Sequence, residues 1–135
     1  MSLKRFFVFL LVLFALKSSA FAVITRVQSV TVTGTASPLA ITLGSAPTSG
    51  NTLICIVYIV GSSTPTVSGI TTTGATWTNA TSQARTTVSN ISIWHAANVG
   101  TGNNTSISIT GTITAVEAVL VEYSNIDTTT PLDVT

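Results

Sequence analysis

The sequence predicts an all-β protein, an antiparallel β-sandwich of Ig-like or jelly-roll type. Three observations carry this. Beyond residue 22, Val, Ile and Thr make up 51 of 113 residues, and β-branched side chains lose χ1 freedom in helices while packing well on pleated surfaces. Several short stretches alternate apolar and polar residues with period two, and none keeps helical spacing for three turns. All nine Gly and all four Pro lie in this part of the chain, mostly between the apolar runs.

Residues 1–22 read as an export leader and residues 23–135 as one sandwich domain. Lys4 and Arg5 precede an unbroken apolar run from Phe6 to Leu16, and Ala20-Phe21-Ala22 places small residues before a cut after Ala22. Eleven apolar residues fall short of the ~20 needed to span a bilayer, so membrane contact is expected only through an uncleaved leader. The expected location is extracellular or on the cell surface.

Nine strands follow in order. Val27–Thr33 puts Val30 and Val32 on one face and Thr31 and Thr33 on the other; Leu39–Leu43 repeats the pattern. Thr52–Val60 is apolar on both faces, which suits a strand covered on both sides. Thr66–Ile70, Ala75–Thr78 and Arg85–Val88 are shorter. Ser89–Ala97 groups Ile91, Ile93 and His95; Thr105–Thr110 carries Ile107 and Ile109; Ala115–Tyr123 alternates Val119, Val121 and Tyr123 against Val116, Ala118 and Leu120. Gly44 to Gly50, Gly61 to Pro65 and Gly100 to Asn104 supply turn chemistry between them. Pro131 to Thr135 reads as the start of a further strand, so the sandwich is expected to lack a C-terminal strand or to receive one from another chain.

Beyond residue 22 only Arg26 and Arg85 oppose Glu117, Glu122, Asp127 and Asp133, a formal charge of −2. That excludes nucleic acid and anionic membrane surfaces as partners, since both need clustered Lys and Arg. Cys55, inside Leu53 to Val57, reads as a buried thiol, with an intermolecular disulfide as the alternative.

No catalytic constellation emerges, and neither cofactor nor metal is expected. His95 is the only histidine and has no nucleophile context to nominate a serine. Glu117 and Glu122 stand five apart in one strand, hence on opposite faces, and cannot form a glycosidase pair. Asp127 and Asp133 flank a Thr-rich turn and read as solvated turn residues rather than calcium ligands. Trp94 alternates with Ser92 and Ala96; it and Trp77 are either core residues or stacking platforms for a sugar. Asn79, Asn90, Asn103 and Asn104 head N-glycosylation sequons.

Ser49-Gly50-Asn51-Thr52-Leu53-Ile54, Gly74-Ala75-Thr76-Trp77-Thr78, Ile91-Ser92-Ile93-Trp94-His95-Ala96, Glu122-Tyr123-Ser124-Asn125-Ile126-Asp127 and Pro131-Leu132-Asp133 follow one another in an order. That order resembles a family of secreted bacterial Thr-rich β-sandwich modules, found as repeats or appendages in large surface and extracellular proteins. The resemblance spans about residues 28–135. Members often carry Tyr where His95 stands and Gly where Asn125 stands, and they continue past the Pro-Leu-Asp motif. The resemblance implies a sandwich fold and supplies no catalytic residues.

The reading that follows is a non-catalytic structural or adhesive module, partnered by neighbouring modules or by itself. Self-assembly is expected through strand addition by Val23 to Gln28, on edges that lack protective Lys, and Val30→Lys would block it. The alternatives are a carbohydrate-binding module that uses Trp77 or Trp94 on a polysaccharide, and an accessory fragment of a secreted hydrolase.

Overall fold

Period-two alternation resolves into eight strands: β1 (Thr25–Gly34), β2 (Leu39–Thr42), β3 (Thr52–Gly61), β4 (Thr66–Thr72), β5 (Thr78–Thr86), β6 (Ser89–Ala96), β7 (Asn104–Thr110) and β8 (Ile113–Ser124). The computed structural model describes residues 22–132. Residues 1–21, within the expected leader, and Asp133 to Thr135 lie outside the described residues. No helix occurs among those described.

The strands form two antiparallel sheets, a large one in the order β1-β8-β3-β6-β5 and a small one in the order β2-β7-β4. Pairings β1–β8, β2–β7 and β3–β6 are those of one long hairpin rolled up on itself. A bridge between Thr72 and Ala75 closes its tip. β5 departs from that scheme, since it pairs with β6 at the edge of the large sheet instead of with β4 in the small one; the fold is an antiparallel β-sandwich. Apart from β5 and β6, which share the large sheet, consecutive strands alternate between sheets, so that each apolar face meets one from a distant part of the chain.

The core fills the gap between the sheets. Leu53, Cys55, Val57 and Ile59 of β3 and Val116, Ala118 and Leu120 of β8 face Leu39, Ile41, Ile70, Ile107 and Ile109 of the small sheet, and all are buried. Each fully buried Val, Leu or Ile contributes about 1.5–3 kcal/mol relative to exposure. With no disulfide among the described residues, this layer holds the domain together. Where β7 leaves the small sheet for β8, the chain turns at Gly111 with φ 101°. At the same corner a Cβ on Gly61 would lie 1.8 Å from the Thr112 carbonyl oxygen, so only glycine fits there. At the first sheet crossing, Ser37 Oγ accepts from the Ile109 amide (2.8 Å) and donates to its carbonyl (2.9 Å), extending the β2–β7 ladder with a side chain. Beyond β8, Asn125 takes φ 64°, a left-handed conformation that Gly or Asn adopts most easily.

Four expectations need correction. Ala75–Thr78 and Arg85–Val88 are not separate strands: Ala75 makes only the bridge, Thr87 and Val88 form a turn, and one strand, β5, spans the interval. β5 reads Thr-Asn-Ala-Thr-Ser-Gln-Ala-Arg-Thr, an edge strand without apolar alternation to reveal it. β3 is covered on one side only: Ile56 and Tyr58, on its other face, are 37% and 40% exposed. Most of the segment Val23 to Gln28 is already committed within the chain, because Thr25, Arg26 and Gln28 pair with Ser124, Tyr123 and Glu122. Val30 packs against the core, so Val30→Lys would damage the fold rather than test assembly.

Candidate functional site

Residues paired across a sheet share a face, so the register maps the outer surface of the large sheet. From β1 to β5 one row runs Thr33, Glu117, Tyr58, Ile91, Gln83. The next runs Thr31, Val119, Ile56, Ile93, Thr81, and the third runs Ser29, Val121, Ile54, His95, Thr78. At the far end Tyr123, half-buried, pairs with Thr52, which is itself buried. The three central strands therefore present an apolar centre, and the two edge strands border it with hydroxyl and amide side chains. Apolar centre with polar rim is the anatomy of a protein interface. The outer face of the small sheet is different, with Thr42, Asn104, Ser106, Ser108, Thr110 and Thr71 turned outward.

At one end of the apolar face lies a cleft of about 420 Å³, lined by Thr33, Thr35, Tyr58, Val60, Ala115 and Glu117 among others. In the row beyond Glu117, Ala115 stands beside Val60, and its small methyl leaves the depression. The Tyr58 hydroxyl, the Glu117 carboxylate and the hydroxyls of Thr33 and Thr35 make no hydrogen bond to any other described residue.

Glu122 is the opposite case. It is 0% exposed and lies on the inner face, five residues and one change of face from Glu117. Gln28 Nε2 donates to Oε2 at 2.6 Å, while the Thr48 amide (2.8 Å) and Asn51 Nδ2 (2.6 Å) donate to Oε1. Burial pushes this carboxyl up, but the hydrogen bonds from Gln28, Thr48 and Asn51 outweigh burial and hold it below the usual range. A buried perturbed carboxylate is a default candidate for chemistry. Here its acceptor oxygens are occupied by β1 and the β2–β3 loop, which makes it an anchor. Gln28 extends the network by donating to the Ser45 carbonyl and accepting from the Ser45 amide.

Trp94 and Trp77 are half-buried and packed against the core. Their indole nitrogens donate to Ser92 Oγ (3.2 Å) and Thr72 Oγ1 (3.1 Å), so neither ring forms part of the outer apolar face. His95 lies on that face with Ile91 and Ile93. Both of its ring nitrogens, and Thr52 Oγ1 nearby, are enclosed without a hydrogen-bond partner. Cys55 is buried, and burial pushes its thiol up to about 12, which leaves no thiolate for disulfide exchange. Asp127 accepts from the hydroxyls and amides of Thr129 and Thr130. The Thr129 hydroxyl leads the contacts that lower its carboxyl to about 2. Among the described residues no group of three or more His, Cys, Asp or Glu is placed to hold a metal.

Of the four sequon asparagines, Asn79 and Asn104 are exposed and Asn103 is half-buried. Asn90 is 3% exposed and accepts from Ser82, so its amide is closed to a glycan in the folded domain.

Tyr58 and Glu117 did not emerge as a pair from the sequence. Alternation gives each residue's face, but only the β3–β8 register, joining positions 59 apart, makes them neighbours. Comparisons with protein-family models, with curated proteins and with solved structures found no match. The resemblance to secreted sandwich modules rests on the sequence motifs alone.

Proposed function

We propose that this chain is a non-catalytic structural and adhesive module, exported by its leader, that assembles with a second copy through the outer face of its large sheet. The observation that supports this is the apolar centre, Ile54, Ile56, Val119, Val121, Ile91 and Ile93, bordered by uncharged hydroxyl side chains. A sheet face in water normally alternates to polar residues. β3 and β8 do not, and at the centre of the face Ile56 and Tyr58 stand exposed, 37% and 40%.

Size and charge favour a second copy as the occupant. From Thr52 to Val60 the face is about 26 Å long, and five strands make it about 24 Å wide, so a pair covers about 1,200 Å², above the ~1,000 Å² a specific interface needs. Glu117 is the only charged side chain in the three mapped rows. A twofold axis through the central row places the two Glu117 carboxylates at opposite ends. Sedimentation of the secreted protein should show a dimer or larger species, and Ile56→Lys should yield a monomer with an unchanged melting temperature. Val121→Lys, two rows from the cleft, should do the same. A monomeric wild-type protein at high concentration would overturn the reading.

A further inference from the structure

The geometry points to the cleft at the Tyr58 end of the outer face as a binding site for one ring of a neutral pyranose sugar. The inference stands on different residues from the apolar centre and does not require assembly. A volume of about 420 Å³ lies within the ~300–1,000 Å³ of small-molecule sites and holds one or two sugar rings. Tyr58, 40% exposed, offers a ring face to the C–H side of a pyranose. Beside it, Glu117 brings two acceptor oxygens, and a carboxylate accepts stronger hydrogen bonds from hydroxyls than a neutral group does. Thr33 adds a hydroxyl in the same row, and Thr35 another just past the end of β1.

A second cleft, lined by Thr71, Thr73 and Ser106 among others, also gathers hydroxyls without internal partners; what distinguishes the Tyr58 cleft is an aromatic ring and a carboxylate beside its hydroxyls. Buried Glu122 spends its oxygens on Gln28, Thr48 and Asn51, and Asp127 spends its own on Thr129 and Thr130. Glu117, Thr33, Thr35 and the Tyr58 hydroxyl spend theirs on nothing in the described structure, and all four border one cavity. An organic cation is the competing ligand for a carboxylate beside an aromatic ring. Such ligands are held best between several rings, whereas this cleft has one ring and three hydroxyls, the pattern that suits a polyol.

In a face-to-face dimer this end is covered, so sugar and second copy compete for it. The test therefore uses both the wild-type protein and Val121→Lys, followed by amide NMR. Methyl glucoside, methyl galactoside and N-acetylglucosamine are each added to about 50 mM, well above a Kd of about 1 mM. At least one sugar should move the Thr33, Tyr58 and Ala115 signals. Tyr58→Ala should weaken that binding about tenfold or more, while Tyr58→Trp keeps it. Glu117→Gln, which retains an acceptor oxygen, should weaken it less. Three results overturn the inference: no sugar moves these signals in either protein, the shifts survive Tyr58→Ala, or tetramethylammonium alone moves them and Glu117→Gln abolishes the effect. Failure of assembly would instead appear as a monomeric wild-type protein, in which the sugar titration still decides.

Discussion

Glu122 shows how one side chain organises its surroundings. Its carboxylate is the common acceptor for donors from β1 and from two positions of the β2–β3 loop, so it fixes a loop that the backbone alone leaves open. Glu122→Gln keeps the shape but points an amide at donors, leaving at least one of them unsatisfied; the expected loss is about 1–3 kcal/mol. Urea midpoints at constant m would measure it. The pH dependence follows from the lowered carboxyl. The stabilisation is complete above the ordinary carboxyl value of 4.5 and is lost as pH falls through the lower folded value. The wild-type advantage over Glu122→Gln should therefore shrink progressively as pH falls below the ordinary value of 4.5. A constant difference across that range would show that the charge is irrelevant.

At the scale of the element, the edges of the large sheet are more guarded than its composition suggests. The domain has no Lys beyond residue 22, yet its two arginines stand on the two edge strands, Arg26 on β1 and Arg85 on β5, both exposed. β1 has a bulge between Arg26 and Gln28, and β5 has bulges between Asn79 and Thr81 and between Ala84 and Thr86. Charge and bulges both discourage a new strand from pairing. The small sheet's edges are a four-residue β2 and a bulged β4. This is why we propose stacking of faces, and not addition of strands, as the route to assembly. Arg26→Val with Arg85→Val, placed in an Ile56→Lys background that removes face stacking, should raise light scattering several-fold. Unchanged scattering would mean the bulges alone suffice.

As a whole molecule, the domain is a sandwich with two unlike outer surfaces: hydroxyls on the small sheet, aliphatic side chains on the large one. The proposed association through the aliphatic surface would be driven by burial and involve almost no charge. Its dimerisation constant should therefore change less than about twofold between 0.05 and 0.5 M salt, roughly the screening range over which charge-driven contacts weaken strongly. Sedimentation at both salt levels checks this, and a steep salt dependence would assign the contact to Arg26, Arg85 and the carboxylates instead.

Much of this was legible in the chain. β6, β7 and β8 announce themselves through β-branched residues at period two and β3 through a continuous apolar run, and the parity of Glu117 and Glu122 assigns them to opposite faces. β5 did not, because an edge strand exposed on all sides needs no apolar face and so leaves no pattern. The two faces of β3 also look alike in sequence, Leu53, Cys55 and Val57 against Ile54, Ile56 and Tyr58, and suggested a strand covered twice. Local propensity and alternation determine which residues become strands and which side chains share a face, because both act between near neighbours. Which face is covered, which strands lie at the edges and which distant groups border one cleft depend on register between segments tens of residues apart. Only the rolled tertiary structure decides that, because the pairing of β3 with β8 and β8 with β1 brings Tyr58, Glu117 and Thr33 into one row.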